Sequence, residues 1–283
     1  MTSEITLPDG RRLSWHEFGD PDGSPVIYTA GTPVSGLGGA SYDETARAAG
    51  LRWISPDKPG YGASDYHRDR TQISWGDDLA ALAGRLGLDR FALAGESGGG
   101  PFTLTAAWKL AGRVSAVALI ATGGPFSPAE RAGMKADNRV MTLLAINAPV
   151  LNTIRIAAMR RTMVSPARRD RALHRDLAAM PPATHADVRI EYEAVADALR
   201  PGTRATVQEL ALTKRPWPFP LSAVTTPVHL WHGALDRNAP AAFARRLAGE
   251  LPDATLHISE SSGHDVGYDR RDEIVAGLAS YRK

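Results

Sequence analysis

Three residues that lie far apart in the chain, Ser97, Asp236 and His264, have the types and settings for nucleophilic catalysis. A serine hydroxyl attacks a carbonyl only when a base takes its proton, and an imidazole does this well only when an acid holds its ring. Ser97 lies in Gly95-Glu96-Ser97-Gly98-Gly99-Gly100, after the apolar run Phe91–Ala94 and before the helical text Pro101–Trp108. Strand, sharp turn and helix form the setting in which a G-x-S-x-G pattern lifts its serine clear of a sheet edge on a strained backbone. So tight a turn brings backbones close together, which explains glycine on both flanks. Taken alone, a Gly-rich strand-to-helix turn requires no chemistry, so the reading depends on partners downstream.

Those partners should sit just beyond strand ends, because ligands of an open parallel sheet bind outside its carboxyl edge. Asp236 follows the apolar run Val228–Trp231, and His264 follows the run Ala254–Ile258. The other acid position, after Ala121, holds Thr122-Gly123-Gly124 and no carboxylate. His229 and His232 are expected to pack or bond locally, while His16, His67, His174, His185 and His257 have no acid or nucleophile motif around them. Glu96 is expected to turn away from the site into a structural ion pair.

The elements that must position these residues read as alternating strands and helices. Ile5–Leu7 and Arg12–Phe18 flank the turn Pro8-Asp9-Gly10 as a hairpin. Strands follow at Val26–Ala30, Leu51–Ser55, Phe91–Ala94, Val114–Ala121, Val228–Trp231 and Ala254–Ile258, with helices expected at Tyr42–Ala49, at Pro240–Leu247 and near the end of the chain. Ser74 with Asp77 suggests a capped start for a helix running to about Leu86. This rhythm implies an α/β fold whose mostly parallel, eight-stranded sheet carries helices on both faces.

The rhythm stops between Glu130 and Leu212, where Ala, Leu, Met and Arg-rich helical text is broken at Pro149, Pro166, Pro181-Pro182 and Pro201-Gly202. Residues 131–175 carry ten Lys or Arg against two Asp or Glu, which reads as a solvated basic face. The chain therefore divides into a first core segment (1–124), an inserted helical cap (125–222) and a second core segment (223–283). Met141, Leu143, Leu144, Met163, Met180 and Tyr192 supply apolar surface to the insertion, and Phe126 and Trp217 at its hinges are expected to face a pocket.

Composition narrows the classes further. The 283 residues are 43% hydrophobic and 23% charged with a formal charge of +2, which selects neither nucleic acid nor a membrane surface as partner. With no cysteine, disulfides and thiolate catalysis are excluded. The N-terminal text has no signal-peptide pattern and no run reaches the length of a membrane span, so a cytoplasmic protein, monomer or homodimer, is expected. The stretch after Pro33 to Ala40 is Gly-rich and reads as loop; Gly36-Leu37-Gly38-Gly39-Ala40-Ser41 lacks dinucleotide-loop spacing, and neither a cofactor nor a metal is expected.

Four motifs together resemble the α/β-hydrolase superfamily, in particular its capped serine esterases and lactonases. They are Gly95-Glu96-Ser97-Gly98-Gly99, Asp57-Lys58-Pro59-Gly60-Tyr61-Gly62-Ala63-Ser64, His232-Gly233-Ala234-Leu235-Asp236 with Pro240, and Ser262-Gly263-His264. The resemblance implies Ser97 as nucleophile, His264 as base and then acid, and Asp236 as orienter, in the family's order Ser, Asp, His. It also implies an oxyanion hole from the backbone N–H groups of Gly98 and Thr32. Where the family usually has His-Gly-x-Pro, this chain has Ala30-Gly31-Thr32-Pro33, so the resemblance implies a loop lacking its usual pin. The activity it implies is hydrolysis of an apolar carboxylic ester or lactone through an acyl-enzyme. Acyl transfer or an acid–base step on a natural-product scaffold stands as the alternative, with ligand binding without turnover as a third reading.

Overall fold

The computed structural model describes residues 2–281. One eight-stranded sheet forms its centre, from β1 (Ser3–Thr6), β2 (Arg12–Gly19), β3 (Ser24–Thr29), β4 (Leu51–Pro56), β5 (Phe91–Glu96), β6 (Val114–Ile120), β7 (Val228–Gly233) and β8 (Ala254–Ser259). The order is β1-β2-β4-β3-β5-β6-β7-β8. β2 runs antiparallel to β1 and β4, and every other pair is parallel. Parallel neighbours need crossovers, and these place helices on both faces.

One face is covered by α2 (Gln72–Arg85), α3 (Gly100–Lys109) and α10 (Ala241–Glu250), whose Trp75, Leu79, Leu82, Phe102, Leu104, Phe243 and Leu247 pack onto Ile27, Leu93, Val117 and Leu230. The other carries α1 (Asp43–Ala48), α11 (Val266–Asp269) and α12 (Arg271–Ala279), with Ala46, Val266, Ile274, Val275 and Leu278 against Tyr28, Trp53, Ala94 and Ile120. The strands are therefore apolar on both faces, as a covered parallel sheet requires. Burying each large side chain contributes about 2 kcal/mol, so a core of this size absorbs a few strained residues near its edge.

Between β6 and β7 lie six helices: α4 (Pro128–Ala132), α5 (Ala136–Asn147), α6 (Pro149–Met163), α7 (Pro166–Ala179), α8 (His185–Leu199) and α9 (Arg204–Leu212). The insertion packs on the sheet's carboxyl edge partly through α8, where the Ala194 carbonyl accepts from the Ser35 N–H at 3.2 Å.

Two local expectations change. The α2 cap uses Thr71 and Ser74 rather than Ser74 and Asp77: Thr71 Oγ1 accepts from the Ser74 N–H, and Ser74 Oγ accepts from the Thr71 N–H. Asp77, one turn further on, faces out and pairs with Lys109. The Gly-rich stretch before α1 is not loop but a 3₁₀ helix, Gly36–Tyr42, started by the Ser35 side chain.

Candidate active site

Parallel register brings the loops together. Gly95 pairs with Thr29, Glu96 with Ile120, Ile120 with Trp231, and Gly233 with Ser259. The segments that leave β3, β5, β6, β7 and β8 therefore emerge side by side, carrying Thr32, Ser97, Gly123, Asp236 and His264.

Ser97 has φ of +47°, left-handed backbone that costs a non-glycine residue about 1–3 kcal/mol. Its carbonyl accepts from the N–H groups of Gly100 and Gly123, the latter at 2.9 Å, which ties the turn to α3 and to the end of β6. A side chain at Gly95 would meet Thr103 Oγ1 at 2.1 Å, so the strand can approach α3 only as glycine.

His264 Nε2 lies 3.0 Å from Ser97 Oγ, and His264 Nδ1 lies 2.7 Å from Asp236 Oδ2. A carboxylate can only accept, so Nδ1 carries the proton and Nε2 is left to accept from the serine hydroxyl. Asp236 is buried and its Oδ1 accepts from the N–H groups of Asn238 at 2.7 Å and Ala239 at 2.9 Å. Burial would raise its carboxyl, but His264 and these N–H donors outweigh it and hold the group below its ordinary value. Burial alone would push the His264 imidazole down. The Asp236 hydrogen bond and charge, with Glu96 and Glu191 adding to them, instead hold it above 6.5. His232 supports the acid loop, its Nε2–H donating to the Ala239 carbonyl at 2.7 Å, and burial keeps it neutral.

Gly98 and Thr32 face one another. A Cβ at Gly98 would lie 2.2 Å from Thr32 Oγ1 and 3.4 Å from its backbone nitrogen. Neither N–H meets a protein acceptor among the described residues, so both remain free to donate into the space beside Ser97.

The loop carrying Thr32 is firmly held, against the expectation drawn from its missing histidine. Lys58 Nζ donates to the carbonyls of Ala30 and Gly31, each at 2.8 Å, and to Glu209 Oε1 at 2.6 Å. Thr32 Oγ1 donates to the same carboxylate. Arg70 Nη1 donates to Glu209 Oε2 at 2.8 Å while its guanidinium lies 4.4 Å from the Phe102 ring centroid. All three charged residues are buried. Burial favours the neutral acid, yet two cations and the hydrogen bonds hold Glu209 below its ordinary range and ionised. Lys58 belongs to a motif the sequence reveals, but its partner is 151 residues away, and nothing local signals the pairing.

These groups open into a cavity of about 490 Å³ between the sheet edge and the insertion. Phe126 lines it, with Met141, Ile156, Met159, Met180 and Leu210 from the insertion. Trp217 does not: its ring packs 6.1 Å from Phe219, which itself stacks on Trp108 at 4.9 Å, so Trp217 belongs to the core's margin. Glu96 also departs from expectation. Among the described residues it makes no ion pair; it accepts from the Tyr28 hydroxyl and lines the cavity beside Glu191 and Tyr268.

A mostly parallel sheet of this order, with helices on both faces and a helical insertion after its sixth strand, defines an α/β-hydrolase architecture. A model of the alpha/beta hydrolase family matches residues 29–277, and the chain belongs to that family. Over 99% of its length it is similar to an esterase from Exiguobacterium antarcticum, at 19% identity, 99% coverage of that chain and a TM-score of 0.71. An enol-lactonase from Burkholderia xenovorans matches equally broadly, at 18% identity, 99% coverage of each chain and a TM-score of 0.71. At these identities the likeness is one of fold. A dihydrolipoyllysine-residue acetyltransferase component of an acetoin cleaving system from Pseudomonas putida is 33% identical over 120 residues, 41% of this chain. The match spans 31% of that relative's length. Among the described residues no helix is long and apolar enough to cross a membrane, and no cluster of His, Asp or Glu suited to a metal occurs.

Proposed function

We propose that this protein is a serine hydrolase that cleaves a carboxylic ester or lactone through an acyl-enzyme. The observation carrying this reading is the unbroken hydrogen-bonded line from Ser97 Oγ through His264 to Asp236. Ser97 Oγ attacks the substrate carbonyl as His264 Nε2 takes its proton, and Asp236 stabilises the imidazolium. The new oxyanion sits against the N–H groups of Gly98 and Thr32, fixed donors that need no reorganisation as charge develops. Collapse expels the alcohol, protonated by His264, and leaves an acyl ester on Ser97. Water, deprotonated by His264, then attacks that ester and releases the acid. The insertion between β6 and β7 acts as a cap that excludes water and selects the substrate, its methionines lining the roof.

An ester and lactone panel of varied acyl length tests this reading, with turnover expected for at least one medium-length apolar series. The pH dependence supplies a second check. A protonated His264 cannot accept the serine proton, so kcat/KM should be low in acid and rise with pH. Its imidazole is held above the ordinary value, so the midpoint should lie above about 6.5, and a profile flat from pH 5 to 8 would contradict the assignment.

Acyl transfer to an acceptor other than water is the second reading, favoured by the partial match to the acetyltransferase component. Product analysis with added alcohols or thiols separates the two, since a transferase gives mainly the new ester.

A further inference from the structure

The cavity holds a cation with no assigned work. Lys214 follows α9 and lines the pocket, and its Nζ has no carboxylate, carbonyl or hydroxyl partner among the described residues. The ammonium lies over the Phe126 ring, 4.7 Å from Nζ to the centroid. Other cations around the site are committed: Lys58 and Arg70 to Glu209, Arg246 to Glu130, Arg271 to Asp187. The free ammonium also sits close to the chemistry. Lys214 Nζ and the Ser97 carbonyl oxygen each lie 3.7 Å from the position a Cβ would take on Gly123.

We propose that Lys214 receives an anionic group of the substrate, and that the preferred substrate is an ester or lactone bearing a carboxylate a few atoms from its scissile carbonyl. The proposal rests on Ser97 being the nucleophile and names the substrate class for that site. Hydrolysis would then add water across the ester bond, giving a dicarboxylate from an ester of a dicarboxylic acid and releasing the alcohol.

Charge distribution sets the orientation. Glu96, Glu191 and Asp265 line the cavity with His264 and Tyr268, and the charges of Glu96 and Glu191 act on His264. An anion is repelled from that side and drawn to Lys214. Burial depresses the ammonium to about 8 with no carboxylate contributing, so at neutral pH it is charged but poorly compensated. A bound carboxylate supplies that compensation as a charge-assisted hydrogen bond.

The test compares 4-nitrophenyl monoesters of succinic, glutaric and adipic acids with their methyl-capped diesters of equal length. Wild type should favour the free-acid form by about tenfold or more in kcat/KM, mostly through KM. Lys214→Met should erase the ratio and Lys214→Glu should invert it. In wild type alone the ratio should decline as pH rises beyond about 8, which keeps the test decisive even where a variant fails to fold. A ratio near one in wild type, or one unchanged in Lys214→Met, overturns the proposal.

Binding of glutaric acid mono-anilide to Ser97→Ala, measured by calorimetry against its methyl ester, separates the two readings because no turnover is needed. Charge-selective, Lys214-dependent binding with no ester turnover by wild type would sink the hydrolase reading and the ester substrate class, and keep Lys214 as an anion site only. Turnover without charge preference would do the reverse.

Discussion

Ser97→Ala is expected to lower ester turnover by on the order of 10⁴–10⁶-fold while leaving the fold and thermal midpoint nearly unchanged. The hydroxyl is the atom that forms the acyl bond, and among the described residues no other side-chain hydroxyl is hydrogen-bonded to His264 Nε2. Cysteine is absent from the chain, and the neighbouring hydroxyl of Thr32 is already donated to Glu209. Stability should hold, since alanine removes one oxygen, although the left-handed backbone at this position persists in the variant. His264→Ala should cost nearly as much, and the double variant little more than either single one, because the two residues act as a unit. Steady-state rates with one ester across the three variants check this. Losses that multiply in the double variant would show that serine and histidine do not act on one proton. A reaction that survives loss of the hydroxyl but not of the imidazole would favour simple acid–base chemistry.

Glu209→Ala should be the most destabilising single change outside the hydrophobic core. It would leave Lys58 and Arg70 buried with no counter-charge, at a cost of about 3–5 kcal/mol, or a fall of roughly 10 °C in thermal midpoint. The effect on rate should appear in kcat more than in KM, because the same carboxylate anchors Thr32 and, through Lys58, the carbonyls of Ala30 and Gly31. Lys58→Met should loosen that loop as well, leaving Glu209 its Arg70 partner. The folded carboxyl titrates below its ordinary value of 4.5. Its stabilisation should therefore be complete above about pH 4.5 and fade as pH falls through the depressed value. Denaturation at pH 7 and at pH 3 compares wild type with the variant, and an equal gap at both would contradict the account.

The parts legible in the sequence were those written locally. Eight strands, the helical text between Glu130 and Leu212, and the loops carrying Ser97, Asp236 and His264 all follow from short-range pattern, because a strand end plus a turn fixes where a loop residue emerges. Long-range pairing was not legible. Lys58 sits in a recognisable loop, but its carboxylate comes from the far end of the insertion, so nothing local shows what compensates for the missing histidine. The setting of Glu96 is not legible locally, because its companion comes from another strand. It shares a sheet face with Ala94, whose register partner is Tyr28, and the tyrosine hydroxyl donates to the carboxylate. Aromatic content at a hinge was equally ambiguous: Phe126 turned into the cavity, whereas Trp217 joined Phe219 and Trp108. The choice depends on the direction of a proline-flanked chain, which composition does not encode.

The most direct measurement is covalent labelling of the folded wild-type protein with an aryl phosphonate, read by intact mass and peptide mapping. One adduct per chain, on Ser97, lost in Ser97→Ala and strongly slowed in His264→Ala, is the predicted result. A folded sample that takes up no label, or takes it at another residue, would contradict the assignment of Ser97 as an activated nucleophile.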